Sequence, residues 1–293
     1  MNESPAKRRG LWFITDIITK AELRHQWYVL EKSRSGTAWI VIAILMVIPA
    51  VLITLYAVIL VIFNLPFTWS ITSDSFLDNL VEIGIVLLVV MNVALYIIVI
   101  LITLGLSSNS VSRERKGRTW DVLLLTNVDA RQVVLGKWWA SLVALWGDHA
   151  MIAFLRVGAV CLIVLGIQPL MGIRLASAPL GIAPVLVHSA VLSVMMVAYT
   201  AIDAMFTAAL GVGGSVSTQN SSLVGAAVFT ARFISIGVFL FWIMRLYNSL
   251  IVGWGYILVG LLGLAIFALF TWIALRVGEW VAVQGEVSPP QTS

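Results

Sequence analysis

Long apolar stretches alternate with short polar segments along this chain. Six of the stretches exceed the roughly 20 residues that a helix needs to cross the hydrocarbon core of a membrane. They run from Trp39 to Phe63, Val81 to Leu106, Trp138 to Leu165, Leu186 to Val212, Leu223 to Met244 and Ile251 to Leu275. The pattern predicts an all-α, polytopic membrane protein with six transmembrane helices.

A different pattern precedes the first apolar stretch. Between Ile14 and Tyr28, apolar and aromatic residues recur at intervals of three and four, and the rest of the helical circle is polar. This spacing predicts an amphipathic helix that lies along the inner membrane interface. Anchoring to lipid and contact with a partner protein fit such a helix equally well.

Composition and charge agree with a membrane protein. The chain has 60% hydrophobic and 11% charged residues, whereas soluble domains have about 25% charged residues. Residues 7–34 contain seven Lys and Arg, residues 64–80 contain none, and residues 113–137 contain six. Because Lys and Arg favour cytoplasmic loops, the amino terminus is predicted inside. With six spans the carboxyl terminus is inside as well, and the basic balance indicates membrane orientation rather than nucleic-acid binding.

These features divide the chain into three parts. A cytoplasmic amino-terminal region covers residues 1–36, a six-helix transmembrane domain covers 37–276, and a cytoplasmic tail covers 277–293. Within the transmembrane domain, residues 107–137 form a loop between the second and third spans. We expect a multi-pass protein of the plasma membrane that also contacts membrane lipid.

The loop at 107–137 begins as a polar exit from the membrane and then becomes basic at 113–118, which suits anionic lipid. The residues after position 118 need another explanation. Thr119 can cap a helix, Asp121 lies in its first turn, and the apolar run from Trp120 to Leu125 is too short to span. A short helix with so apolar a surface is expected to pack against protein.

This segment resembles the cytoplasmic loop of ABC-2 type ABC transporter permeases. The shared features are a Glu-Arg pair, a Gly, a Thr, an acidic residue before a Leu run and a Gly-Lys pair, here Glu114, Arg115, Gly117, Thr119, Asp121, Leu123, Leu124, Gly136 and Lys137. The family usually has Pro after the Thr that closes the Leu run, and this chain has Asn127. Upstream, Glu22, Leu23 and Arg24 resemble a Glu-Leu-Arg element of the family's amino-terminal helix.

The resemblance implies a permease subunit that works as half of a dimer, with itself or with a sister permease, and is driven by ATP-binding subunits. A coupling helix would insert into a cleft on the ATP-binding subunit through Glu114, Arg115, Gly117, Thr119, Trp120 and Asp121. Glu22 and Arg24 would belong to the interface helix. The resemblance implies export as the direction of transport, and it does not identify the substrate.

The chain itself shows no sign of catalytic chemistry. It has no GxxxxGK[ST] phosphate loop, so ATP and Mg²⁺ are expected on the partner subunit. Its three histidines are far apart in sequence and lack the spacing of a metal site. We therefore predict no catalytic residue, no metal and no cofactor bound by this chain.

Four charged residues fall inside predicted spans. Asp148, Asp203 and Arg232 reach a similar depth, roughly 14 to 15 Å from the inner ends of their spans. An unpaired charge at the bilayer centre costs at least about 2.5 to 3.5 kcal/mol, so Arg232 is predicted to pair with Asp203 or Asp148. Arg156 is expected to turn outward or to meet Glu82, and it is the charge expected to contact a substrate. A structural pair is favoured over a substrate path.

Two other classes of protein stay open. A non-transporting scaffold or sensor could hold a soluble partner with the same loop and would need no ATPase. An ion-coupled secondary carrier could use Asp148, Asp203 and Arg232 as a relay, and it should show inverted repeats and broken helices.

Overall fold

The computed structural model describes residues 16–34, 41, 43–63, 76–117, 129–170, 184–217, 223, 225–230, 232–234, 237 and 255–287. Nearly all of these residues are helical, and no strand occurs among them. Five helices in the described ranges are long and apolar enough to cross a membrane, at Leu45–Ile62, Glu82–Glu114, Trp146–Leu165, Val185–Ser217 and Ile257–Val283. The predicted all-α class and the membrane character are confirmed.

Seven α-helices form most of the described structure. They are α1 at Ile17–Arg34, α2 at Ile48–Ile62, α3 at Phe76–Lys116, α4 at Ala130–Ala144, α5 at Trp146–Leu170, α6 at Pro184–Ser217 and α7 at Gly255–Val287. A short π-helix, Ala43–Val47, leads into α2. Helical residues also occupy 225–230 and 232–234.

Two boundaries differ from the predicted ones, and one predicted span is described only in part. The structure describes half of the residues of the predicted fifth span, Leu223 to Met244, and they include the short apolar helix Gly225–Ile234. The predicted third span begins at Trp138, but the structure has two helices there, because α4 ends before Leu145 and α5 begins after it. The predicted tail from residue 277 begins inside α7, which continues to Val287.

Helix α6 is the centre of the packing, because it contacts α3, α4, α5 and α7. Of the three hydrophobic cores among the described residues, the two larger ones lie at opposite ends of the bundle. One joins α2, α3 and α5 around Ala50, Leu88 and Leu155. The other joins α3, α4, α6 and α7 around Val134 and Val212. The second core includes parts of the two helices that flank residues 118–128, the part of the predicted coupling loop that we call the coupling segment.

Small residues bring the helices close together. A methyl group at Gly158 of α5 would collide with the side chain of Thr54 on α2, and one at Gly278 of α7 would lie 3.1 Å from the Cα of Gly213 on α6. In a membrane, helices associate mainly through such close packing, because lipid tails are as apolar as the side chains they replace.

The polar exit predicted at residues 107–112 is instead the last part of one continuous helix. Thr103 and Ser107 of α3 are buried, and their hydroxyls donate to the carbonyls of Val99 and Thr103, four residues back, at 2.7 and 2.6 Å. Because this bonding satisfies the hydroxyl within the helix, a Ser-rich stretch can stay helical and buried.

Helix α1 turns its polar side toward the protein. Thr19, Glu22 and Gln26 are buried, whereas Ile17 and Tyr28 are 78% and 64% exposed. Most of the apolar face predicted from the sequence is therefore left uncovered by the described residues, whereas Ile18 packs against the second core. Its placement on a membrane surface stays a prediction.

Candidate functional site

Three helices meet at the residues that flank the coupling segment. α1 packs along α4, and the two run in the same direction. A methyl group at Gly136 would lie 3.0 Å from the Thr19 hydroxyl oxygen. Further along both helices, Gln26 Nε2 donates to Ser141 Oγ at 3.1 Å. The carboxyl end of α3 closes the third side.

Lys137 lies at the centre of the contact between these three helices. Its side chain is fully buried. Its ammonium donates to Glu22 Oε2 at 2.9 Å, to Glu114 Oε1 at 2.5 Å and to the carbonyl oxygen of Ser110 at 3.0 Å. A lysine ammonium has three N–H donors, so each of them has an acceptor. One side chain therefore joins α4 to α1 and, twice, to α3.

Glu22 is equally well satisfied. Its Oε2 also accepts from Arg113 Nη2 at 2.8 Å, and its Oε1 accepts from Gln26 Nε2 at 3.0 Å. Burial raises the pKa of Glu22, but the charges of Lys137 and Arg113, with the hydrogen bonds, outweigh burial and hold the pKa below its ordinary value. The carboxylate is therefore ionised at neutral pH.

We refer to Glu22, Arg113, Glu114 and Lys137 as the Glu22 cluster. Its two carboxylates balance its two cations. Taking such charges out of water is costly, and breaking a buried pair by removing one partner costs more than the intact pair contributes. The cluster therefore holds α1, the end of α3 and the middle of α4 in one arrangement.

The residues on either side of the coupling segment are held by hydrogen bonds to the described helices. Before it, the N–H of Gly117 donates to the carbonyl of Arg113 at 2.9 Å. After it, the Asp129 side chain caps α4 by accepting from the N–H of Arg131 at 3.0 Å. Arg131 also pairs with Glu279 of α7 at 3.3 Å.

The predicted contact residues fall into three groups. Glu22 and Glu114 are brought together in the Glu22 cluster, while Arg24 is exposed on α1 and Gly117 is exposed just after α3. The remaining predictions fall outside what the structure describes: the side chain of Arg115, and Thr119, Trp120 and Asp121.

Sequence reasoning did not assign the roles of Arg113 and Gln26, and it noted Lys137 only as part of the resemblance. A signal was present for Lys137, because a lysine directly before an apolar stretch must find an acceptor when it is buried. For Gln26 the signal was its spacing of four residues from Glu22, which places both on one helical face.

A second polar cluster lies within the bundle. Arg232 Nη2 forms an ion pair with Asp203 Oδ1 and a hydrogen bond of 3.1 Å to Tyr96 Oη. Arg232 and Asp203 are both buried. The predicted pairing of Arg232 is confirmed, with Asp203 as the partner, whereas Asp148 lies in the first turn of α5.

Arg156 does not turn outward, and it does not meet Glu82. It is buried, its Nη1 donates to Thr200 Oγ1 at 2.8 Å, and its guanidinium carbon lies 4.7 Å from the ring centre of Tyr96. Tyr199 contributes a second ring at 5.7 Å. An aromatic ring attracts a cation through its negative face, so two rings and a hydroxyl hold Arg156 inside the bundle.

No family model matches the chain, and neither the curated proteins nor the solved structures show a match to it. The resemblance to ABC-2 permeases therefore rests on the sequence residues alone. Among the described residues, no group of three or more His, Cys, Asp and Glu side chains is placed to hold a metal ion.

Proposed function

We propose that this chain is the permease subunit of an ATP-driven ABC transporter, half of a dimer with itself or with a sister permease. It exports its substrate across the plasma membrane, with both termini in the cytoplasm. ATP and Mg²⁺ bind to a separate ATP-binding subunit. The observation that supports this proposal best is the Glu22 cluster, which joins the three elements that carry the family resemblance.

The Glu22 cluster mechanically connects the two helices that flank the coupling segment. Glu114 lies just before the segment and Lys137 lies after it, and the two side chains are in direct contact. A partner that grips residues 119–121 cannot shift one flank alone, because the ion pairs connect both flanks to Glu22. The interface helix α1 therefore moves with them.

The flanking helices can carry such a shift into the membrane. α3 is a single helix of 41 residues, so a displacement at Glu114 acts on a continuous rod. On the other flank, the indole N–H of Trp138 donates to the carbonyl of Met205 on α6 at 3.0 Å. Because α6 is the centre of the packing, movement of α4 reaches the whole bundle.

Copurification in a mild detergent tests the proposal. Tagged wild type is compared with a Glu114→Ala/Asp121→Ala variant and with a Glu31→Ala control, which alters an exposed carboxylate of α1. We expect wild type and control to bring down an ATP-binding subunit with ATPase activity, and the double variant to lose it or to uncouple its ATPase. Absence of any ATPase from the wild-type preparation contradicts the proposal and favours a scaffold or sensor.

One observation favours a second candidate, an ion-coupled carrier. Asp203 and Arg232 are buried in the bundle, where ionisable residues commonly belong to relays. In proteoliposomes that contain no ATPase, an imposed ion gradient drives substrate transport by such a carrier, and the Asp203→Asn variant abolishes that transport. An ATP-driven permease shows no transport under those conditions.

A further inference from the structure

Two arginines converge on one tyrosine inside the bundle. The guanidinium of Arg156 lies over the Tyr96 ring, and Arg232 donates to the Tyr96 hydroxyl. α3 provides the tyrosine, α5 provides Arg156, and Asp203 and Thr200 come from α6. The central helices of the protein thus gather these groups at one place.

Within the described part of the chain, the charges at this place do not balance. Two guanidinium groups face one carboxylate, that of Asp203, among the described residues in contact with them. Asp148 is eight residues before Arg156 on α5, roughly 12 Å along the helix axis. A surplus cation in a membrane is costly unless an anion or a polar cavity accompanies it.

The hydrogen-bond donors do not balance either. Arg232 is 1% exposed, and a single nitrogen, Nη2, serves both Asp203 and Tyr96. Its Nε and Nη1 are buried and have no hydrogen-bond partner among the residues that the structure describes. Buried donors are almost always paired, and an unpaired one needs a specific reason. An acceptor with negative charge would correct the shortage of charge and the shortage of acceptors together.

We propose that Arg156 and Arg232 form an intramembrane site for the anionic group of an amphiphile, a phosphate or carboxylate headgroup. Guanidinium groups suit such oxyanions because they present several donors in a plane. As a substrate site, the inference rests on the proposed transport function. The binding itself requires no ATP-binding subunit, so it is measured on the purified chain alone.

The test uses thermal unfolding in a neutral detergent, followed by tryptophan fluorescence. Short-chain phosphatidylglycerol, its phosphatidylcholine counterpart and inorganic phosphate are titrated at constant ionic strength. The variants are Arg156→Gln, which removes the charge and keeps a donor, and Arg156→Lys, which keeps the charge. Arg276→Gln is the matched control, because Arg276 is a half-exposed arginine of α7.

We expect phosphatidylglycerol to raise the unfolding midpoint of wild type along a saturable curve, and phosphatidylcholine to leave it unchanged. The apparent affinity falls at least about tenfold in Arg156→Gln, because a charge-assisted hydrogen bond is replaced by a neutral one, and it is retained in Arg156→Lys and Arg276→Gln. A saturable effect of inorganic phosphate as well shows that the headgroup alone is sufficient.

Equal effects of phosphatidylglycerol on wild type and Arg156→Gln, or equal effects of the two lipids on wild type, overturn the inference. If Arg156→Gln fails to fold, the Asp203→Asn/Arg232→Gln variant, which removes both members of the ion pair, provides the same comparison. The outcome is independent of copurification. If lipid binds at Arg156 but the copurification experiment recovers no ATP-binding subunit, the site is kept and the ATP-driven transport function is contradicted.

Discussion

Replacing Lys137 with Met tests the Glu22 cluster most severely. Methionine keeps a flexible chain of similar length but removes the ammonium, and with it one hydrogen-bond donor to each of Glu22, Glu114 and the Ser110 carbonyl. Removing one partner of a buried ion pair costs about 3 to 5 kcal/mol. We expect the lower end, about 3 kcal/mol, because Arg113 still neutralises one carboxylate and Glu114 is partly exposed.

Titration with a denaturing detergent in mixed micelles, followed by tryptophan fluorescence, measures the free energy of unfolding. Lys20→Met is the matched control, because Lys20 is exposed on α1, and it should change stability little. Arg113→Met should cost less than about 1 kcal/mol, because the Arg113 side chain is 42% exposed and solvent screens its charge.

A double variant sharpens the result. Removing Glu22 and Lys137 together, as Glu22→Gln/Lys137→Met, deletes one charge of each sign. We expect the double variant to lose less stability than the sum of the two single variants, by about 0.5 to 3 kcal/mol. Additive losses, or a Lys137→Met variant as stable as Lys20→Met, would show that the cluster does not hold the three helices together.

The structure leads us to expect three further outcomes. Because the pKa of Glu22 is held below its ordinary value of 4.5, its stabilisation is present above pH 4.5 and is lost as pH falls through the lower folded-state pKa. When the pH is lowered below 4.5, the unfolding midpoint of wild type should therefore decrease, and that of Glu22→Gln should decrease less. The Asp203→Ala variant leaves Arg232 unpaired at a cost of at least about 2.5 to 3.5 kcal/mol, so gel filtration should show aggregation that Asp203→Ala/Arg232→Met relieves; a normally assembled single variant would refute this. Gly158→Ala should lower stability by about 1 to 3 kcal/mol through overpacking, whereas Gly105→Ala, with open space around its new methyl group, should not, and equal midpoints for the two would contradict the described helix packing.

The helical class and most of the spans could be predicted because the apolar stretches are long. The ends of the helices were harder to predict from the sequence. Ser107 and its neighbours look like a loop by composition, and only backbone bonding within α3 explains why they are buried. The break at Leu145 was also hidden, because the residues on both sides of it are apolar enough to read as one span.

Among the charges, depth along a helix was enough to predict that Arg232 is paired, but not which carboxylate it meets. The partner depends on the rotation and packing of α6, which periodicity does not fix. The Glu22 cluster illustrates the same limit. Glu22 and Lys137 are 115 positions apart, and their meeting depends on how α1 packs along α4.

Photo-crosslinking in intact membranes tests the central claim, that an ATP-binding subunit grips the coupling segment. A photoreactive phenylalanine derivative is placed at Trp120, and at Trp272 as a control, because Trp272 is an exposed aromatic of α7. We predict that position 120 forms an adduct with a protein that binds and hydrolyses ATP, and that position 272 does not. Adducts with lipid alone at position 120, or the same ATPase adduct at both positions, would contradict the claim.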